Sequence, residues 1–86
     1  MASYKIVWKS SSERDLRKIP KQYISRVMKK VESLQDNPFP IDSRKLQGSV
    51  FRHRVKVEDY RVIYEVNAVE NILTIFRVRH RKDAYQ

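Results

Sequence analysis

The 86-residue sequence contains no cysteine, one glycine and three prolines. Without cysteine there is no disulfide scaffold, no Cys-based zinc finger and no thiol catalysis. The chain also fits a reducing, cytoplasmic setting. A single glycine, Gly48, rules out a Gly-rich phosphate loop and a flexible glycine linker. No apolar run approaches the ~18–20 residues of a membrane span, and the first eight residues lack a signal-peptide core. With only two histidines, His53 and His80, and no H-E-x-x-H or clustered-carboxylate spacing, metal hydrolysis finds no support. No serine sits in a nucleophile-elbow context. Acidic residues are few, 10 against 19 Lys and Arg, so the formal net charge is +9. That excess points to a polyanionic partner, nucleic acid before an acidic protein or an anionic membrane. Of the 19 cations, 11 lie in the first 50 residues.

What is present suffices for a core. Hydrophobic residues make up 41% of the chain and recur in periodic groups, which argues against general disorder. The length allows one domain, residues 1–86. Residues 4–8 carry β-branched and aromatic side chains and are expected to form a strand. Ser10 and Glu13 have the S-x-x-E spacing of a capping box, so a short helix is expected there, ending before Pro20. Pro20 suits the start of a second helix. In it Tyr23, Ile24, Val27, Met28, Val31 and Leu34 recur at helical spacing. That helix should end near Asp36, ahead of Pro38 and Pro40. A loop through Ile41, Asp42, Ser43 and Arg44 follows, leading to Leu46 and Gly48.

Beyond residue 50 the period changes to two. Residues 51–57, 60–66 and 72–78 read as three strands of an antiparallel meander. Glu58-Asp59 is a tight turn lacking the favoured glycine, and residues 67–71 form a longer one. If Val57 faces Tyr60, then Val55 faces Val62, His53 faces Tyr64 and Phe51 faces Val66. With Ile72, Thr74, Phe76 and Val78 these form the face expected to receive the helices. The fold class is therefore α+β: an N-terminal strand, a helical hairpin, and a three-stranded meander with the helices on one face.

The other face carries Arg52, Arg54 and Lys56, then Arg61, Ile63 and Glu65, then Leu73, Ile75, Arg77 and Arg79. Lys56 is expected opposite Arg61. With an equally tight second turn, Arg61 would lie opposite Arg77. Like charges on neighbouring strands cost stability. A solvated face that serves only solubility is the plainer explanation for any one of them. The cluster as a whole fits an anion better, because soluble sheets usually mix the signs.

Arginine and lysine, with tyrosine and histidine nearby, suit phosphodiester cleavage in RNA. The RNA supplies its own nucleophile, the 2′-OH. The protein must align it, stabilise the charge on the phosphorane and move two protons. Guanidinium groups serve the second task. A lysine can act as base where neighbouring cations ease its deprotonation. An aromatic ring can stack on a base. The terminal run Arg79-His80-Arg81-Lys82-Asp83-Ala84-Tyr85 offers cations, an imidazole and a phenol together.

These residues carry a resemblance. They are Asp15-Leu16-Arg17-Lys18-Ile19-Pro20, the stretch from Leu34 to Pro38, Lys45-Leu46-Gln47-Gly48, Tyr60-Arg61-Val62-Ile63-Tyr64, and His80-Arg81-Lys82-Asp83-Ala84-Tyr85. In order and spacing the chain resembles toxins of the RelE/ParE superfamily of toxin–antitoxin systems over nearly its whole length. The resemblance implies a compact α+β fold. It also implies a ribosome-dependent mRNA endoribonuclease, acting in the A site of the 70S ribosome without cofactor or metal. An acidic RelB-like antitoxin would neutralise it in a heterotetramer, and no membrane would be involved. By position, Arg61 matches the central-strand arginine on the scissile phosphate, Arg79 the late-strand arginine, and Tyr85 the terminal tyrosine. Arg54 and Lys56 match a pair usually seen as Lys-x-Lys. Arginine, with a pKa above ~12, is a poor base, so Lys56 or His80 is expected in that role. Arg52, Arg77, Arg81 and Lys82 are expected to bind RNA. His53, Tyr60 and Tyr64 are expected to be packing residues. Two alternatives stay open: a ParE-type gyrase inhibitor with the same fold, and a nucleic-acid-binding module without toxicity.

Overall fold

The computed structural model describes residues 3–46, 48 and 51–82. The order of elements is β1 (Lys5–Trp8), α1 (Ser10–Arg17), α2 (Lys21–Leu34), β2 (Ser43–Lys45), β3 (Arg52–Val57), β4 (Tyr60–Asn67) and β5 (Ile72–His80). The strands form one sheet in the order β1-β5-β4-β3-β2. β1 runs parallel to β5, and the other pairs are antiparallel. The α+β class, the N-terminal strand and the three-stranded meander (β3, β4, β5) match expectation; the sheet has one strand more, β2. β2 forms inside the stretch expected to be a loop. Three residues of polar sequence give no periodicity to read, and β2 exists only through its pairing with residues 53–55 of β3.

The core lies between α2 and one face of the sheet. α2 contributes Val27, Val31 and Leu34; β3 contributes Val55 and Val57; β4 contributes Val62 and Tyr64; β5 contributes Leu73, Ile75 and Val78. Removing each such side chain from water stabilises the fold by ~1.5–3 kcal/mol. The Tyr64 ring is fully enclosed, and its O–H donates to the Pro38 carbonyl at 2.7 Å. Burial pushes the Tyr64 phenol up to about 12.

α1 works differently. Its buried residues are polar, Ser12 and Asp15. β1 ends at Trp8, opposite Ile75. Beyond that point the outer edge of β5 would be left open. The Ser11 hydroxyl donates to the Phe76 carbonyl at 2.7 Å, and Val78 N–H donates to Asp15 Oδ2 at 3.0 Å. α1 thus covers an edge that would otherwise present unpaired backbone groups. The expected capping box does not form. Ser10 is already the first helical residue, Lys9 occupies the cap position, and no side chain caps the helix. The chain turns straight from strand into helix, and the Ser12 hydroxyl bonds back to the Lys9 carbonyl at 2.6 Å.

The β3–β4 register is the expected one, with Val57 opposite Tyr60 and Lys56 opposite Arg61. The β4–β5 register is not. Asn67 pairs with Ile72 across a four-residue turn, so Leu73 and Ile75 face the core and Thr74 does not. A one-residue slip exchanges the two faces of a strand. A bulge at Phe76 then exchanges them back: Tyr64 pairs with Ile75, while Ile63 pairs with Arg77. Arg61 therefore stands opposite Arg79, not Arg77. Phe51 precedes β3 and is exposed, where it was expected to face Val66 in the core.

Candidate functional site

The helix-free face of the sheet is a lattice of cations fixed by strand pairing. One cross-strand row runs Lys56, Arg61, Arg79. The next runs Arg44, Arg54, Ile63, Arg77. The third contains Arg52 and Glu65, joined at 3.5 Å. Directly opposed residues in an antiparallel pair have Cα atoms only about 4.5–5.5 Å apart. Lys56, Arg61 and Arg79 are therefore held side by side against their mutual repulsion. Among the described residues no carboxylate pairs with any of the three.

Arg61 is the unusual member. It is only 7% exposed although no helix covers this face. One terminal N–H donates to the Tyr60 carbonyl at 3.3 Å. Its Nε is buried and has no hydrogen-bond partner. A buried cation with an unused donor is costly unless something anionic completes it. Protein interiors rarely keep such a group without a use.

The structure brings Arg54, Lys56, Arg61 and Arg79 together on this face. Arg52 is at its border, where its guanidinium lies 4.4 Å from the Phe76 ring centre. Arg77 reaches α1 and donates to Asp15 from Nε at 2.9 Å and from a terminal nitrogen at 3.2 Å. His80 is on the other side of the sheet, edge-on to its cross-strand partner Tyr60, which packs in turn on Tyr23 of α2. Its Nδ1 accepts Lys82 N–H at 3.2 Å. Arg81 and Lys82 are exposed beside the β3–β4 turn, tied there by Arg81 N–H donating to the Asp59 carbonyl at 2.7 Å. Tyr85 lies outside the described residues. His53 packs between Phe39 and Tyr64. Burial first and the Lys45 charge second hold its imidazole below the ordinary histidine range. No group of three or more His, Asp or Glu side chains comes together among the described residues.

Two participants escaped the sequence reading. Arg44 joins the cationic face through β2. Asp15 forms the buried contact between α1 and β5. The second left a signal: Ser12 and Asp15 sit three apart on one side of the expected helix, in line with the apolar Ile19 four residues further on, just past the end of α1.

This fold and site define a class before any closer kinship: a small α+β protein presenting an organised cationic sheet face. The sequence profile described as "ParE toxin of type II toxin-antitoxin system, parDE" matches residues 6–85. The chain is 30% identical over 76 residues to RelE1 of Methanocaldococcus jannaschii, covering 85% of this chain and 84% of the relative. It is 28% identical to toxin RelE3 of the same organism, covering 94% of each. A chain of the archaeal RelE–RelB complex from Pyrococcus horikoshii OT3 superposes with a TM-score of 0.82 at 28% identity, covering 95% of this chain and 99% of that one. The protein belongs to the RelE/ParE superfamily of type II toxin–antitoxin toxins.

Proposed function

We propose that this toxin is an endoribonuclease that cleaves mRNA in the ribosomal A site and so stops translation. The observation that carries the reading is Arg61, buried with a free Nε donor between Lys56 and Arg79. A phosphorane developing there would gain charge-assisted hydrogen bonds from two guanidinium groups. The strands fix the backbone positions of these donors, so exposing the buried Arg61 Nε to a phosphate needs only side-chain movement. The 2′-OH would attack its own 3′-phosphate, losing a proton to the protein. The 5′-oxygen would leave, taking one up. Lys56 is the exposed group beside Arg61 for proton transfer, and Tyr85 is the family's candidate for stacking on a base. A divalent metal has no role in this reading, since the Lys56, Arg61, Arg79 row repels it. An acidic RelB-like antitoxin would neutralise the basic surface, in a heterotetramer. The toxin would act in the cytoplasm.

The ParE profile favours a second reading, inhibition of gyrase without RNA cleavage. Induced expression separates the two. Under the first, wild-type protein stops growth with mRNA cut inside ribosomes, and Arg61→Ala relieves both. Growth arrest with intact mRNA and accumulated gyrase–DNA complexes would establish the second instead.

A further inference from the structure

Asp15 is a carboxylate on α1, only 8% exposed and far from the candidate site in sequence. Its three hydrogen bonds all go to β5: Val78 N–H at 3.0 Å and two guanidinium nitrogens of Arg77 at 2.9 and 3.2 Å. A buried carboxylate needs such compensation, and here one side chain supplies it for both a cation and a strand edge. We propose that Asp15 is a positioning residue for the cationic face, withholding Arg77 from bound RNA and fixing β5 so that Arg79 stands opposite Arg61. This rests on the RNA-binding reading of that face.

Arg77 and Arg79, two apart on β5, share a face, and the Phe76 bulge makes it the helix-free one. At about 3.3 Å per residue they are about 7 Å apart along the strand. An unpaired Arg77 would repel Arg79 and offer RNA a competing phosphate contact one row away. The Asp15 pair removes that competitor from the position next to the Lys56, Arg61, Arg79 row. At Val78, the residue between the two arginines and Arg79's immediate neighbour, the same carboxylate anchors the backbone. Ser11 secures the other flank of Arg77 through the Phe76 carbonyl.

The test measures binding of a short 2′-O-methyl RNA, which 2′-OH attack cannot cleave, across a salt series. Each phosphate contact contributes about 0.7 to the slope of log K against log salt for a single strand. Asp15→Asn should release Arg77 and steepen the slope by about 0.7. Adding Arg77→Ala to Asp15→Asn should remove that increment. A change that only loosened the fold would not produce a steeper slope that a second substitution cancels. On programmed ribosomes Asp15→Asn should also cut mRNA more slowly, because Arg79 is then held less firmly opposite Arg61. Should Asp15→Asn fail to fold, nitrogen NMR of the intact chain decides. Added RNA should shift the Arg61 and Arg79 Nε–H resonances and leave Arg77 in place. An unchanged slope in folded Asp15→Asn, or an Arg77 shift as large as that of Arg79, overturns the proposal. Binding with these slopes but no cleavage by wild type would overturn the nuclease reading alone.

Discussion

Arg61 concentrates the conflict between stability and function in one side chain. Its burial, its unused Nε donor and its like-charged neighbours all oppose folding. Arg61→Met keeps the apolar stem and removes the charge. It should leave the fold at least as stable, gaining ~1 kcal/mol, which is ~4–8 °C in Tm for a domain of this size. A thermal melt beside a toxicity assay checks this, and a large loss of stability would contradict it. His53 makes a separate prediction. Its folded pKa lies below the unfolded value, so the folded state binds fewer protons. Its contribution is complete above about pH 6.5 and is lost as pH falls through the folded value. Urea denaturation should therefore show stability declining below pH 6.5, and His53→Phe should remove that part of the decline. Asp42, lowered chiefly by its hydrogen bond from Lys30, acts in a more acidic window and does not confuse the result.

At the scale of elements, what could be read from the sequence depended on how local the determining forces are. α2 and the β3–β4 register were legible. A helical apolar stripe and a two-residue turn each specify their own geometry. The faces of β5 were not legible. They depend on a four-residue turn and then on a bulge that compensates for it, and each moves the strand by one residue. Their effects cancel at Arg77 and Arg79, so strand parity alone assigns those two to the correct face but misassigns Leu73, Ile75 and Phe76. β2 and the α1 edge contacts depend on residues tens of positions away, so no window of sequence contains them. The tight turn itself carries a cost. Glu58 adopts φ 54°, a left-handed conformation that glycine takes freely. Its exposed ion pair with Arg26 offsets little of this. Glu58→Gly should stabilise the protein by up to ~1 kcal/mol in urea titrations. A clear loss would mean that the ion pair outweighs the strain. In the core, Tyr64→Phe leaves the Pro38 carbonyl without its donor and should cost ~1 kcal/mol.

For the whole molecule, the net charge of +9 takes on two roles. Charge spread over the helical half acts at long range and attracts any polyanion, within about a Debye length. Charge on the sheet face is ordered by hydrogen-bonded strands, and part of it is already neutralised, by Asp15 and Glu65. The row of Lys56, Arg61 and Arg79 combines close spacing with the absence of a carboxylate partner among the described residues. Removing a scattered helical cation such as Lys29 should weaken RNA binding modestly and leave cleavage of bound message unchanged. Under the proposed function this row performs ribosome-dependent cleavage. The most direct measurement is to map mRNA 5′ ends on programmed ribosomes with purified toxin, beside the same mRNA without ribosomes. Cuts are expected at the A-site codon with ribosomes only, and none in Arg61→Ala. Intact mRNA under both conditions, with a folded and toxic protein, would contradict the proposed function.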